Sequence, residues 1–248
     1  MSRYDLLKSQ AKEMGKGAKV VDYVMGIGLC GVSLDNGKTG VSYTDRKSIP
    51  WGCSLYDELP LVGSSVEKFI DMFDSSDVLM NALGTAAINA CINEGNFQNR
   101  DVMDAVKLDK TDTLGMIGYF DPMVMKIKKM VKELYIFEKE RTLTVWPQKA
   151  LPTEEIPNVV PKCNVLIISA TTVMNKTFDS IMESVKTDRI ILLGPSTPIS
   201  VEAFPEVKVF GGTTVSPSAL AVIAHGGGTR NLYKEKVGKK VTFIRGEN

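Results

Sequence analysis

Apolar and polar positions change their rhythm along the chain, and the change comes near residue 113. Residues 4–14 carry a helical pattern, and residues 20–44 carry strand signals. Within the latter, "LDNGKT" (34–39) holds Asn36-Gly37, the pair favoured in two-residue type I′ hairpin turns. With that pair as the turn, Cys30, Val32 and Leu34 oppose Tyr43, Val41 and Thr39 and form one mostly apolar face. A polar stretch with Pro50, Trp51 and Pro60 follows, and then helices over about 66–73 and 77–93. The second helix contains Gly84, Ala86, Ala87 and Ala90, small enough to let another element approach closely. Strands followed by helices predict an α+β unit.

Beyond residue 113 short apolar runs alternate strictly with helical patterns. Strands are expected at 114–118, 134–138, 164–169, 189–193 and 207–210, with helices at 122–133, 177–185, 200–204 and 217–225. The strands are continuously apolar, as befits a sheet covered on both faces. The helices place Met123, Ile127, Met130 and Val131, then Phe178, Ile181, Met182 and Val185, at helical spacing. The fold class expected is α/β: a Rossmann-like parallel sheet with helices on both faces, preceded by a smaller α+β domain. The boundary falls between residues 105 and 106, giving domains 1–105 and 106–248. The Pro-containing stretch 146–161 reads as a connection with one short helical turn, and no internal repeat is visible.

Composition adds little beyond exclusions. A formal charge of +1 and no dense basic cluster give no electrostatic case for nucleic acid or an anionic membrane. The polar N-terminus resembles neither a signal peptide nor a membrane span. Four dispersed cysteines (Cys30, Cys53, Cys91, Cys163), without a C-x-x-C, predict a reduced, cytoplasmic setting.

Ligands of open parallel sheets bind beyond the carboxyl ends of the strands. The segments there are "GYFDP" (118–122), Glu138, "SATTVMNKT" (169–177), "GPSTPIS" (194–200) and "GGTTVSP" (211–217). Asp121-Pro122 reads as an N-cap with proline at N1. Glu138 lies about where a dinucleotide fold places its ribose-binding acid. However, Tyr119, Phe120 and Asp121 stand where a pyrophosphate would need glycines, which argues against NAD or FAD. Asp121 and Glu138 are instead candidate ligands for a cation or for a molecule offering amines or hydroxyls. Equally, Asp121 can serve only as a cap and Glu138 can pair with a lysine. No P-loop, nucleophile elbow or zinc-ligand spacing is present, and the single histidine, His225, reads as a helix end before Gly226-Gly227-Gly228.

The segments "GMIGYFDPMVMKIK", "LYIFEKE", "NVLIISATTVMNKTFDSIM", "ILLGPSTPIS" and "VFGGTTVSPSAL" occur in this order. They resemble the C-terminal domain of the putative heavy-metal chelation family. "MGIGLCGVSL" and "NALGTAAINACI" resemble its enolase N-terminal-like first domain. The resemblance implies a ligand site between the two domains. Carried residue by residue, that site comprises Asn89, Gly118, Phe120, Asp121, Pro122, Glu138, Thr171, Thr172, Asn175, Thr177, Gly194, Pro195, Ser196 and Thr197.

Oxygen and amide donors suit hard cations or small polar molecules better than soft heavy metals. The leading expectation is a protein that handles a metal ion or metal-chelating small molecule there, with Asp121 and Glu138 as metal ligands. The alternative is an enzyme using an adenosine-type cofactor such as S-adenosylmethionine, with Glu138 on its ribose. A crevice serving protein partners or homo-oligomer contacts stays open.

Overall fold

The computed structural model describes residues 1–49, 56, 59–95, 97–98, 101–139 and 150–247. Pro50, Trp51, Cys53 and Trp146 lie outside the described residues. The chain opens with α1 (Arg3–Met14), started by a capping box in which Ser2 Oγ accepts the Asp5 N–H while the Asp5 carboxylate accepts the Ser2 N–H. Strands β1 (Val20–Met25), β2 (Leu29–Leu34) and β3 (Thr39–Tyr43) form an antiparallel sheet in that order. Helices α2 (Val66–Asp71) and α3 (Val78–Ile92) cover one face; Asp77 caps α3 by accepting the N–H groups of Leu79 and Met80.

The hairpin register differs from the sequence expectation by one residue. Leu29 opposes Tyr43, Cys30 opposes Ser42 and Val32 opposes Gly40. The turn has three residues: Gly37 donates to the Leu34 carbonyl, Leu34 donates to the Lys38 carbonyl, and Gly37 takes φ +82°. A type I turn closed by a left-handed glycine uses Asn-Gly as readily as the two-residue turn does. The shift changes which side chains share a face. Cys30, Val32 and Leu34 lie with Gly40 and Ser42 toward α3, while Leu29 and Val41 join a second cluster on the opposite face. The small residues of α3 behave as their sequence predicts. A Cβ on Gly40 would stand 2.1 Å from the Ala86 carbonyl and 2.3 Å from the Ala90 nitrogen, so β3 lies directly on the helix backbone.

The remaining elements are α4 (Val102–Ala105), β4 (Thr113–Ile117), α5 (Asp121–Ile127), β5 (Glu133–Phe137), α6 (Ile156–Val159), β6 (Val165–Ser169), α7 (Thr171–Met174), α8 (Phe178–Met182), β7 (Ile190–Leu193), β8 (Val209–Val215), α9 (Ala219–Ala224), α10 (Thr229–Lys234) and β9 (Gly238–Ile244). The six strands run in the order β5-β4-β6-β7-β8-β9, all parallel except β9. Helices flank this sheet, as the fold class requires.

Three expectations need correction. The segment 211–217 is no loop: β8 continues to Val215 because β9 supplies an antiparallel partner, a strand whose lysine-rich sequence resembles a tail. Residues 200–204 form a turn rather than a helix, in which Ser200 Oγ accepts the Ala203 N–H and the Ser200 carbonyl accepts the Phe204 N–H. Helix α5 stops at Ile127 rather than 133, because Glu133 is recruited into β5 opposite Thr113.

One apolar core joins the two sheets. Phe69 and Phe73 of the small unit belong to the same cluster as Ile168, Phe178 and Phe204 of the large one. Arg3 lies over the Phe178 ring at 5.0 Å and pairs with Glu206 at 2.9 Å, fixing α1 to the large unit. On the other face of the small sheet, Leu220 and Ile223 of α9 fit against Gly31 and Gly26. No helix among the described residues is long and apolar enough to cross a membrane.

Candidate functional site

The strand order places the reversal of winding between β4 and β6, since β5 lies on one side of β4 and every later strand on the other. Parallel sheets open a crevice at such a point. Gly118 follows β4 with φ +89°, and a Cβ there would come within 2.8 Å of the Ser169 Cβ that ends β6. Gly194 follows β7 with φ +136°, donating to the Gly211 carbonyl and accepting from the Thr197 N–H. These are conformations that glycine adopts without penalty.

Glu138 follows β5, and both its carboxylate oxygens accept backbone N–H groups, from Tyr119 at 3.1 Å and from Lys139 at 2.9 Å. Its headgroup is therefore fixed over the junction of β5 and β4. Asp121 is the first residue of α5 and not its cap; Phe120 occupies the cap position and no side chain caps the helix. Pro122 is accordingly the second helical residue. The Asp121 carboxylate points to Arg230 of α10, 3.7 Å away.

The hydroxyl-rich loop after β6 is largely satisfied by itself. Ser169 Oγ and Thr171 Oγ1 are 2.9 Å apart, Thr172 donates to the Ser169 carbonyl, and Asn175 Oδ1 accepts from both the N–H and the hydroxyl of Thr177. Asn175 and Thr177 are exposed, flanking Lys176, which pairs with Asp74. They sit near the start of α3, where Asn81 donates to the Met174 carbonyl. Ser196 and Thr197 meet the other end of α3, about 18 Å away at the helical rise. The carboxyl edge thus gathers Gly118, Phe120, Asp121, Glu138, Thr171, Gly194, Pro195 and Ser196, and Asn175 and Thr177 lie apart from them.

The small unit covers this edge. The Tyr43 N–H donates to Ser196 Oγ at 2.7 Å. Asn93 caps the end of α3 and clamps the loop after β7, donating to the Thr197 carbonyl and accepting the Ile199 N–H. One turn earlier, Asn89 donates to the Val41 carbonyl at 2.9 Å. Its Oδ1 and the Thr197 hydroxyl are buried without a hydrogen-bond partner among the described residues. Buried polar atoms of this kind are rare in folded proteins.

Sequence reading missed Tyr43, Ser169 as a partner of Gly118, and Arg230. Burial chiefly pushes the Tyr43 hydroxyl up, aided by Asp45 and Glu138 and opposed by Arg46. Glu138 and the end of β3 are therefore within electrostatic reach of each other. No local signal links Tyr43 to position 196 or Arg230 to position 121, because only the packing of the two sheets brings these together.

Among the described residues no three His, Cys, Asp or Glu side chains converge as a metal cluster. Cys30, Cys91 and Cys163 are buried and free. Burial pushes the Cys91 thiol up to about 12 and that of Cys163 up to about 11, so neither offers the thiolate that soft metals require. Asp121 and Glu138 fit a hard cation only if further oxygens come from elsewhere. This donor set does not fit a bare heavy-metal ion.

Fold and edge together define a doubly wound α/β protein whose carboxyl sheet edge is roofed by a small α+β unit. The chain belongs to the DUF364 family, described as putative heavy-metal chelation: that family's model matches residues 101–242, and the DUF4213 model, with the same description, matches 4–92. An uncharacterised protein of Methanocaldococcus jannaschii is 30% identical over 166 residues, covering 64% of this chain and 62% of its own length, so the match spans less than two thirds of that relative. The crystal structure of a DUF364 protein of unknown function from Pyrococcus horikoshii superposes with a TM-score of 0.81 at 24% identity, covering 98% of this chain and 99% of that one. Another from Desulfitobacterium hafniense gives 0.77 at 20% identity, with 98% of each chain covered. At these identities the likeness concerns the fold.

Proposed function

We propose that this protein binds a metal chelate, a small molecule that carries most of the metal's donor atoms itself, at the crevice between the small unit and the carboxyl edge of the large sheet. The observation that carries this reading is the donor set: the fixed Glu138 carboxylate and the Asp121 carboxylate, both half-buried, set among hydroxyls and backbone N–H groups. Glu138 would fill an open coordination position. Ser196, Thr171 and the buried Asn89 and Thr197 would serve the organic part through neutral hydrogen bonds. The family description supplies the metal half of the reading.

A second reading has one observation in its favour. Glu138 ends the strand next to β4, where a carboxylate can receive ribose hydroxyls, so an adenosine-type cofactor such as S-adenosylmethionine fits there without a pyrophosphate.

Calorimetric titration separates the two. Nickel(II) citrate is expected to bind the wild type at one site, and nickel(II) alone far more weakly, with Glu138→Gln weakening the citrate complex at least tenfold. Saturable S-adenosylmethionine binding that Glu138→Gln weakens would favour the second reading. The chelate reading falls if neither nickel(II) citrate nor nickel(II)–triethylenetetramine binds.

A further inference from the structure

The most informative charge at the crevice comes from an element to which neither the sequence nor the family description assigns a role. Arg230 stands in the first turn of α10, and the backbone beneath it is rigid. Asn231 accepts the Gly228 N–H at the helix start, Leu232 is wholly buried, and the Tyr233 hydroxyl lies 2.8 Å from Thr213 of β8. The side chain is 80% exposed, and its one ion pair among the described residues, with Asp121, is long at 3.7 Å. An exposed pair of that length contributes little to stability and exchanges readily for a better partner. The base is fixed, the head is free, and Asp121 places that head at the mouth of the crevice.

Resting on the chelate reading, we infer that Arg230 selects the ligand by binding a carboxylate group of the chelator. A planar guanidinium offers paired N–H donors that match a carboxylate's two oxygens, a fit lysine cannot reproduce. On this inference the ligand has two ends. Glu138, just after β5, would take the metal's open position, and Arg230 on α10 would take an uncoordinated carboxylate of the chelator. Asp121 is the weak partner that the guanidinium exchanges for the ligand's carboxylate. The ligand class is therefore a metal–polycarboxylate complex rather than a metal–polyamine complex.

The test compares nickel(II) citrate with nickel(II)–triethylenetetramine, a cationic complex without carboxylates, on the full chain by calorimetry. The wild type is expected to prefer the citrate complex at least tenfold. Arg230→Ala is expected to abolish that preference and Arg230→Lys to restore part of it, with unfolding curves matching wild type. The inference is overturned if the wild type binds both complexes equally, or if Arg230→Ala keeps the preference; in either case the chelate reading stands. Binding of neither complex overturns both.

Discussion

The Tyr43 N–H donates to the Ser196 hydroxyl at 2.7 Å, joining the last residue of β3 to the loop after β7. This bond ties the roof of the crevice to its wall, and Asn93 reinforces it from α3. Ser196→Ala removes the acceptor, and a buried or half-buried donor left without one costs about 1 kcal/mol or somewhat more. Urea denaturation is expected to show that loss, and hydrogen exchange is expected to show faster exchange at the Tyr43 amide.

A second link fixes the opposite, amino edge of the large sheet. Asp112 is almost fully buried and receives both terminal nitrogens of Arg189, at 2.6 and 3.1 Å, together with the Asp109 N–H. Burial alone would raise its carboxyl, but the hydrogen bonds and the guanidinium charge outweigh burial and hold it below the usual carboxylate value. As pH falls, the unfolded chain takes up this proton before the folded one does. The stabilisation is thus complete above the unfolded value, near 4, and is lost as pH drops through the folded value. Asp112→Asn is expected to be less stable by about 1–3 kcal/mol at pH 7, since half-exposed Arg189 is solvated more easily than a fully buried partner. Denaturation at pH 7 and at pH 3 checks this: the gap between wild type and variant should shrink at the lower pH.

Gly40 lies against the α3 backbone, with no room for a methyl group beside the Ala86 carbonyl. Overpacking typically costs about 1–3 kcal/mol, and more where the obstacle is backbone. Gly40→Ala is expected at or above the top of that range by thermal or chemical unfolding. Gly28→Ala is the control, because nothing lies within 4 Å of a Cβ built there.

The thiols of Cys30, Cys91 and Cys163 are buried and raised by that burial. Alkylation of the native protein at pH 8, followed by peptide mapping, is expected to leave all three unmodified until denaturant is added. Rapid native labelling of any of them would reopen thiolate metal chemistry.

Much of the large sheet is legible from its apolar runs, because a strand buried on both faces must be apolar along its whole length. The extension of β8 over Gly211–Val215 is not legible, since Gly-Gly-Thr-Thr carries turn chemistry and only pairing with β9 makes it a strand. The hairpin is legible from Asn36-Gly37, but its register is not, because two turn types use that pair. Among the candidate site residues, the places of Glu138 and Gly118 directly after strands could be read. Tyr43 and Arg230 could not, because each gains its meaning from a residue more than a hundred positions away.

Local side-chain chemistry, then, determined most of the parallel strands, the small faces of α3, and which residues follow the strands at the carboxyl edge of the large sheet. Tertiary structure decided what roofs that edge, that Asp121 faces Arg230 instead of capping a helix, and that Asn175 and Thr177 lie away from Ser196. Periodicity reports which face of an element avoids water, a property each segment carries alone. The meeting of two faces depends on the shape and order of the whole chain.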